Sequence, residues 1–285
     1  MNNFKQKYSE YTEYFNNQLN IYLQTLKLPS NLLDAIKYSL FAGGKRIRPV
    51  LMMAVNEFLG GKKIDVIDFA IALEMIHTYS LIHDDLPSMD NDDYRRGKLS
   101  SHKMFGEAMA ILAGDTLLNL AYETVFNSKH NTDIVVKVGK ILSNYSGGEG
   151  MIAGQVYDLF SKDANNNTID LIIENKTSKL LTAPLLIAST LNNNAFFDEL
   201  CDLGKSIGKL FQIKDDIFDY EGDFNDIGKT TGKDTDKNTY INLIGIDKTK
   251  DLLNKEYKNC KNILSKITND IFINDLIDYI YTRKN

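Results

Sequence analysis

A chain of 285 residues and 32.3 kDa can bury a large core, as one big domain or two ordinary ones. Its net charge of −5, with both signs spread along the sequence, shows no nucleic-acid footprint, and its two cysteines, Cys201 and Cys260, are too few for a disulfide framework and lack metal-site spacing. The opening MNNFKQKYSEYTEYF has no apolar leader core, and nowhere do about 18 apolar residues run uninterrupted, so the expectation is a soluble, cytoplasmic protein without a membrane span.

With only four prolines among long Leu/Ile/Ala/Met-rich runs, the sequence predicts many helices and little sheet. Asn2 to Leu26 reads as a first helix, stopped by Pro29, and Leu32 to Phe41 as a second. AGGKRIRP follows at residues 42 to 49, where paired glycines allow close approach to a ligand and Lys45, Arg46 and Arg48 suggest an anion site. Helical patterning resumes from Val50 to Phe58, breaks at Gly60-Gly61, and runs on to Asp84 and Asp85 as a helix apolar around most of its wheel. Pro87 must end or kink that helix, which frees Asp90 to fold back toward Asp84. Five carboxylates (Asp84, Asp85, Asp90, Asp92, Asp93) followed by Arg95 and Arg96 suit a hard cation next to an anion, magnesium with phosphate oxygens above all. A solvated acidic loop is the plain alternative.

Residues 107 to 126 again look apolar around most of the wheel and predict a central helix, with Asp115 inside it hard to leave buried and unpaired and anchoring a structural hydrogen bond on its plainest reading. Gly147, Gly150 and Gly154 make a smooth stripe for close packing, with Gln155 and Asp158 as weaker site candidates. Asn165 to Thr168 reads as a polar loop ahead of a helix that carries Lys176 and Thr177 at its start and Pro184 as a kink. Nothing marks a linker, so residues 1–285 read as a single domain. In GKLFQIKDDIFDYEGD, residues 208 to 223, Asp215 and Asp219 differ by about 40° around a helix and share a face, whereas Asp216 points about 100° away. Two carboxylates on one face want a cation between them, and Lys229, Lys233 and Lys237 follow in a turn-rich stretch. The GKT at Gly228–Thr230 is not a P-loop, because Asp223 stands where that motif needs glycine and a helix precedes it where a strand is required.

In order and spacing, GGKRIRP, HTYSLIHDDLPSMDNDDYRRG, the GGEGMIAGQVYDL run, KTSKLL and FQIKDDIFDYEGD…GKTTGKD resemble the short-chain trans-isoprenyl diphosphate synthases, and within them most the bacterial enzymes that make fifteen-carbon farnesyl diphosphate. The resemblance covers roughly Asn31 to the last helix. It implies an all-α single-domain bundle of about 10–13 helices around a deep central cavity, a homodimer, and about three magnesium ions bridging the two Asp-rich helices and an allylic diphosphate. On it, Asp84, Asp90 and Asp215 would ligate magnesium with Asp85 and Asp219 in support. Arg95, Lys176 and Lys229 would hold the allylic diphosphate with Lys233 nearby, and Lys45, Arg48, His77 and Arg96 would hold isopentenyl diphosphate. Thr177 and Gln212 would face the allylic cation with oxygen dipoles. The implied reaction condenses isopentenyl diphosphate with dimethylallyl or geranyl diphosphate.

Product length would be set beside Tyr79 and Ser80. Tyr79 lies five residues before Asp84, about 7.5 Å along a helix, where its ring would floor a cavity for about two or three isoprene units. One departure is visible: KLSSH stands where the family usually has proline and threonine before the histidine, which puts the shape of the loop at Leu99 and Ser100 in question. The readings weighed against a farnesyl synthase are a geranylgeranyl synthase, a class I terpene synthase, which would lack GGKRIRP and the second Asp cluster, and a catalytically silent partner subunit, which would have lost one cluster.

Overall fold

The computed structural model describes residues 2–161, 165–221 and 238–283. The chain opens with α1 (Asn2–Thr25), α2 (Ser30–Leu40) and α3 (Ile47–Phe58). Pro29 does not stop α1; it stands at the N-cap of α2, where a missing N–H leaves nothing unsatisfied. α3 begins three residues earlier than its apolar pattern, because Pro49 falls in the first helical turn, which needs no N–H partner. A short turn of 3₁₀-helix (Lys63–Val66) feeds α4 (Ile67–Asp84), whose residues Phe69–Ile76 are all buried. This stretch is apolar enough to cross a membrane by composition, but 72% of that window is buried among other helices.

α4 ends at Asp84, ahead of Pro87, and the chain turns back so that the Asp90 N–H donates to the Asp84 carbonyl at 2.9 Å. β1 (Tyr94–Arg95) and β2 (Lys98–Leu99) then form a two-stranded antiparallel hairpin with Arg95 opposite Lys98. Arg96 and Gly97 make its turn with φ of 56° and 74°, the left-handed pair that matches strand twist in a two-residue hairpin. Leu99 and Ser100 leave this loop intact: the Tyr38 hydroxyl donates to the Leu99 carbonyl at 2.8 Å, and the Ser100 N–H to the Asp93 carbonyl at 2.9 Å.

After α5 (Ser101–Phe105), α6 (Glu107–Phe126) packs along α4, followed by α7 (Thr132–Ser146) and α8 (Met151–Phe160). α6 is not buried all round. Ala110, Ala113, Gly114, Leu117 and Ala121 face the core, while Ile111, Leu112 and Phe126 are 44%, 55% and 65% exposed. Asp115 is likewise no buried anchor; its exposed carboxylate stands 3.9 Å from His83 Nε2. Nor do three glycines form a helical stripe, since Gly147 ends α7, Gly150 precedes α8, and only Gly154 lies within a helix. α9 (Asn166–Ile172) starts inside the expected polar loop because Asn165 caps it, accepting from the Thr168 N–H at 3.0 Å. It passes through a π-helical stretch (Ile173–Ser178) into α10 (Lys179–Leu191), which is buried from Leu180 to Thr190.

α11 (Phe197–Glu221) lies against α10, and α12 (Tyr240–Ile244), α13 (Ile246–Ile267) and α14 (Ile271–Thr282) complete the bundle. α14 returns to the first helix through an aromatic cluster, with Phe4–Phe272 and Tyr8–Tyr279 centroids 5.4 and 5.5 Å apart. That contact brings residue 283 to α11.

Candidate active site

A cavity of about 1050 Å³ opens into the bundle between α4, α6, α8, the π-helical stretch and α11. Asp84 and Asp90 line one wall and Asp215, Asp216 and Asp219 another, so the two acidic motifs share one chamber although 125 or more residues separate them. The loop before α3 adds Lys45, the first turn of α3 adds Arg48, α4 adds His77, Tyr79 and Ser80, and the hairpin adds Arg95 and Arg96. Lys176, Thr177 and Gln212 line it as well. Asp85 does not: it is 2% exposed and turned into the protein, where Arg95 Nε donates to its Oδ1 and Oδ2 at 2.9 and 3.2 Å. Burial pushes the Asp85 carboxyl up to about 6 despite that guanidinium, and the same acids hold Arg95 above its ordinary value against its own burial.

Close approach of backbone explains two of the glycines. A Cβ on Gly154 would overlap the backbone of Lys176, so α8 and the π-helical stretch touch only because that position is bare. Lys176 is thereby placed 2.5 Å from Asp158, and although burial opposes its charge, Asp84 and Asp158 hold its ammonium above the usual lysine range. Gln155, one residue after Gly154, donates to Asp84 Oδ1. Gly44, at φ 112°, makes room for Arg96, whose Cζ would lie 2.5 Å from a Cβ there. The paired glycines therefore serve Arg96, which donates to the Gly43 carbonyl.

Arg46, the cation of that motif which faces inward, is 5% exposed and locked to Glu74 at 2.7 Å and to Asn16 at 3.1 Å. This pins the loop so that its neighbours Lys45 and Arg48 face the cavity. Burial, with Arg283 next, lowers the Lys45 ammonium to about 8, and burial lowers Arg48 to about 10, so Arg48 stays charged at neutral pH. Burial, then Arg48 and Arg96, drive His77 well below 6.5, which makes it a neutral imidazole and not one more cation. Thr177 donates to Gln212 Oε1 at 2.6 Å while Gln212 Nε2 donates to Asp216 at 2.9 Å. With its proton committed, the Thr177 hydroxyl presents lone pairs to the chamber.

Residues 29–273 match the polyprenyl synthetase family model. The chain belongs to the polyprenyl synthetase family. It is 47% identical over 264 residues to a farnesyl diphosphate synthase of Micrococcus luteus, covering 89% of this chain and 90% of that one. It is 42% identical over 245 residues to a chloroplastic geranylgeranyl pyrophosphate synthase of Capsicum annuum, covering 82% and 66%. A geranyltransferase of Helicobacter pylori, crystallised with magnesium and isoprenyl diphosphate, superposes with a TM-score of 0.85 at 31% identity over 96% of both chains. This polyprenyl synthetase is a prenyl-transferring enzyme with the all-α fold of its relatives.

Its oxygen-rich walls fit magnesium. Asp84 and Asp90 on one wall and Asp215 and Asp219 on another offer hard oxygen donors, as suits an ion that takes one or two protein carboxylates and completes its shell with phosphate oxygens and water. Lys229, Lys233 and Lys237 lie outside the described residues. One site residue escaped the sequence reading altogether. Arg283, just after α14, is 4% exposed and donates to Asp215 Oδ1 at 2.5 Å and to the Phe211 carbonyl at 3.0 Å. A signal for it existed: only five of the 33 basic residues are arginine, and four of those five stand in the two cationic motifs.

Proposed function

We propose that this polyprenyl synthetase makes farnesyl diphosphate, condensing isopentenyl diphosphate with dimethylallyl and then geranyl diphosphate. The observation that carries the reading is the shared chamber, with carboxylates on two walls, cations among them, and Tyr79 in its lining. Asp84, Asp90 and Asp215, supported by Asp219, would hold magnesium, about three ions on the family pattern, and these would act as Lewis acids that let pyrophosphate leave the allylic carbon. Lys176 and Arg95, with Lys229 and Lys233, grip the allylic diphosphate. Asp85 acts through Arg95, which it orients with a two-pronged hydrogen bond. Lys45, Arg48 and Arg96 offset the charge of isopentenyl diphosphate, and neutral His77 gives it a hydrogen bond. Thr177 and Gln212 turn oxygen dipoles toward the allylic carbon as it becomes positive, and the buried walls exclude water that would quench it. The proton lost after carbon–carbon bond formation goes to the departing pyrophosphate, so no side-chain base is required.

The enzyme works as a cytoplasmic homodimer. Ile111, Leu112 and Phe126 on α6 are exposed apolar side chains that a second copy would cover. Light scattering behind a sizing column should give twice the chain mass, and a monomer at micromolar concentration would reject the assignment.

The direct test is purified protein with magnesium, dimethylallyl or geranyl diphosphate and labelled isopentenyl diphosphate. Labelled farnesyl diphosphate is expected; no labelled prenyl diphosphate would refute the transferase, and a twenty-carbon main product would assign the geranylgeranyl activity of the plant relative. The Tyr79 ring favours fifteen carbons: it lines the cavity, is 6% exposed and meets His83 edge-on at 5.8 Å, and on this reading it floors the prenyl pocket. Tyr79→Ala should shift the main product to twenty carbons or longer, and an unchanged distribution by mass analysis would remove this floor.

A further inference from the structure

The hydroxyl of Tyr79 is buried and has no hydrogen-bond partner among the described residues, so no polar bond fixes the plane of its ring. Its orientation rests on what the ring touches. One turn further along α4, His83 meets that ring edge-on, with the planes at 75° and the centroids 5.8 Å apart. His83 is itself held from the opposite helix. Its Nε2 lies 3.1 Å from the Ile111 carbonyl of α6, and because a carbonyl can only accept, the imidazole carries a proton on that nitrogen. The space the imidazole fills is left by Gly114, three residues after Ile111 on the same face of α6, where a Cβ would overlap Nε2 and Cδ2 of His83. Tyr79, His83 and Leu118, one turn beyond Gly114, all line the cavity.

We infer that His83 is a positioning residue for product length: hung from α6 by the Ile111 carbonyl, in the gap that Gly114 leaves, it holds the Tyr79 ring across the prenyl pocket. This rests on the reading of Tyr79 as the floor of that pocket. A tyrosine on a helix has more than one staggered rotamer open to it, and a ring turned to the second would leave room for a further isoprene unit. An edge-to-face pair shifts such an equilibrium by about two-fold to about ten-fold. The brace is anchored on α6 and not on α4 alone, so the depth of the pocket depends on how these two helices pair. The same contact explains a glycine at position 114, inside a helix where any side chain but proline would otherwise be the better choice.

The test measures kcat/KM for farnesyl diphosphate and for geranyl diphosphate as allylic starters, with magnesium and isopentenyl diphosphate, and takes the first over the second, a ratio from which losses of overall turnover cancel. In His83→Ala the ratio should rise at least about three-fold above wild type. Because His83 acts through Tyr79, adding His83→Ala to Tyr79→Ala should change the ratio by less than about two-fold. A wild-type ratio in His83→Ala, with that of Tyr79→Ala raised, overturns the inference; this is what a merely structural histidine would give, along with lower turnover and a lower melting temperature. An equal rise in both backgrounds also overturns it, since His83 would then be a wall in its own right. If His83→Ala does not fold by circular dichroism, His83→Gln replaces it: the amide keeps a donor for the Ile111 carbonyl but offers Tyr79 no ring, and the same rise is required. If Tyr79→Ala itself leaves the ratio unchanged, the floor reading fails and the brace goes with it.

Discussion

The two acidic walls of the cavity are chemically alike but differently held. At the end of α4, the contacts that shape the motif are largely local: Arg95 grips Asp85 ten residues away, and the Asp90 N–H closes on the Asp84 carbonyl, with Gln155 and Lys176 reaching Asp84 from further along the chain. On α11, the first acid, Asp215, is held by Arg283, 68 residues further on and delivered by α14. The first wall is therefore a local motif that any chain containing it would partly form. The second exists only when the terminal helices pack, since the Phe4, Tyr8, Phe272 and Tyr279 cluster sets where α14 ends. That cluster also reaches the isopentenyl side, because the Tyr8 hydroxyl donates to the Lys45 carbonyl.

If both walls carry metal, the equivalence can be broken directly. Asp84→Asn and Asp215→Asn should each lower kcat by about three orders of magnitude, the loss of several kcal/mol of Lewis-acid stabilisation. Circular dichroism should show the helices intact, and chelation of magnesium should abolish wild-type turnover. A loss below about tenfold for Asp215→Asn alone would show that only the α4 wall works on the diphosphate.

A smaller effect tests how the first wall is assembled. In Gly154→Ala the new Cβ must displace the backbone of Lys176, at an overpacking cost of about 1–3 kcal/mol that slightly exceeds what alanine gains over glycine in a helix. The melting temperature should fall by a few degrees, and kcat/KM for the allylic substrate by about tenfold, with the KM for isopentenyl diphosphate nearly unchanged. Equal losses for both substrates would mean that α8 supports the whole chamber and not the allylic wall.

This contrast also governs what could be read from the sequence. DDLPSMD and its two arginines were legible because a helix, a proline and a turn bring them together within a dozen residues, and the spacing of Asp215 and Asp219 fixes a helical face without further context. The fold class followed from apolar runs. What periodicity cannot show is which neighbour covers an apolar face, and so α6 reads as a central helix although Ile111 and Leu112 are exposed. It cannot show which close contact a glycine serves, as with Gly154 and Lys176. Nor can it pair Arg283 with Asp215, because no local rule spans 68 residues; only the scarcity of arginine hints that the last one has a post.

The smallest expected effect separates the walls by pH. Burial and the charge of Arg283 lower the Lys45 ammonium from 10.5 to about 8, so the cation facing isopentenyl diphosphate is present below that pH and lost above it. kcat/KM for isopentenyl diphosphate, which reports the free enzyme, should therefore fall as pH rises through about 8, whereas kcat should hold to higher pH because the bound diphosphate keeps the proton on. The allylic wall should lack this limb, since Asp84 and Asp158 hold the Lys176 ammonium above the ordinary range. Arg283→Gln removes a like charge that lowers the Lys45 ammonium and should move the limb upward by a fraction of a pH unit. A limb that does not move in that variant would place Arg283 too far from Lys45 to act on it, and would leave burial and Arg96 as the causes of the lowered ammonium.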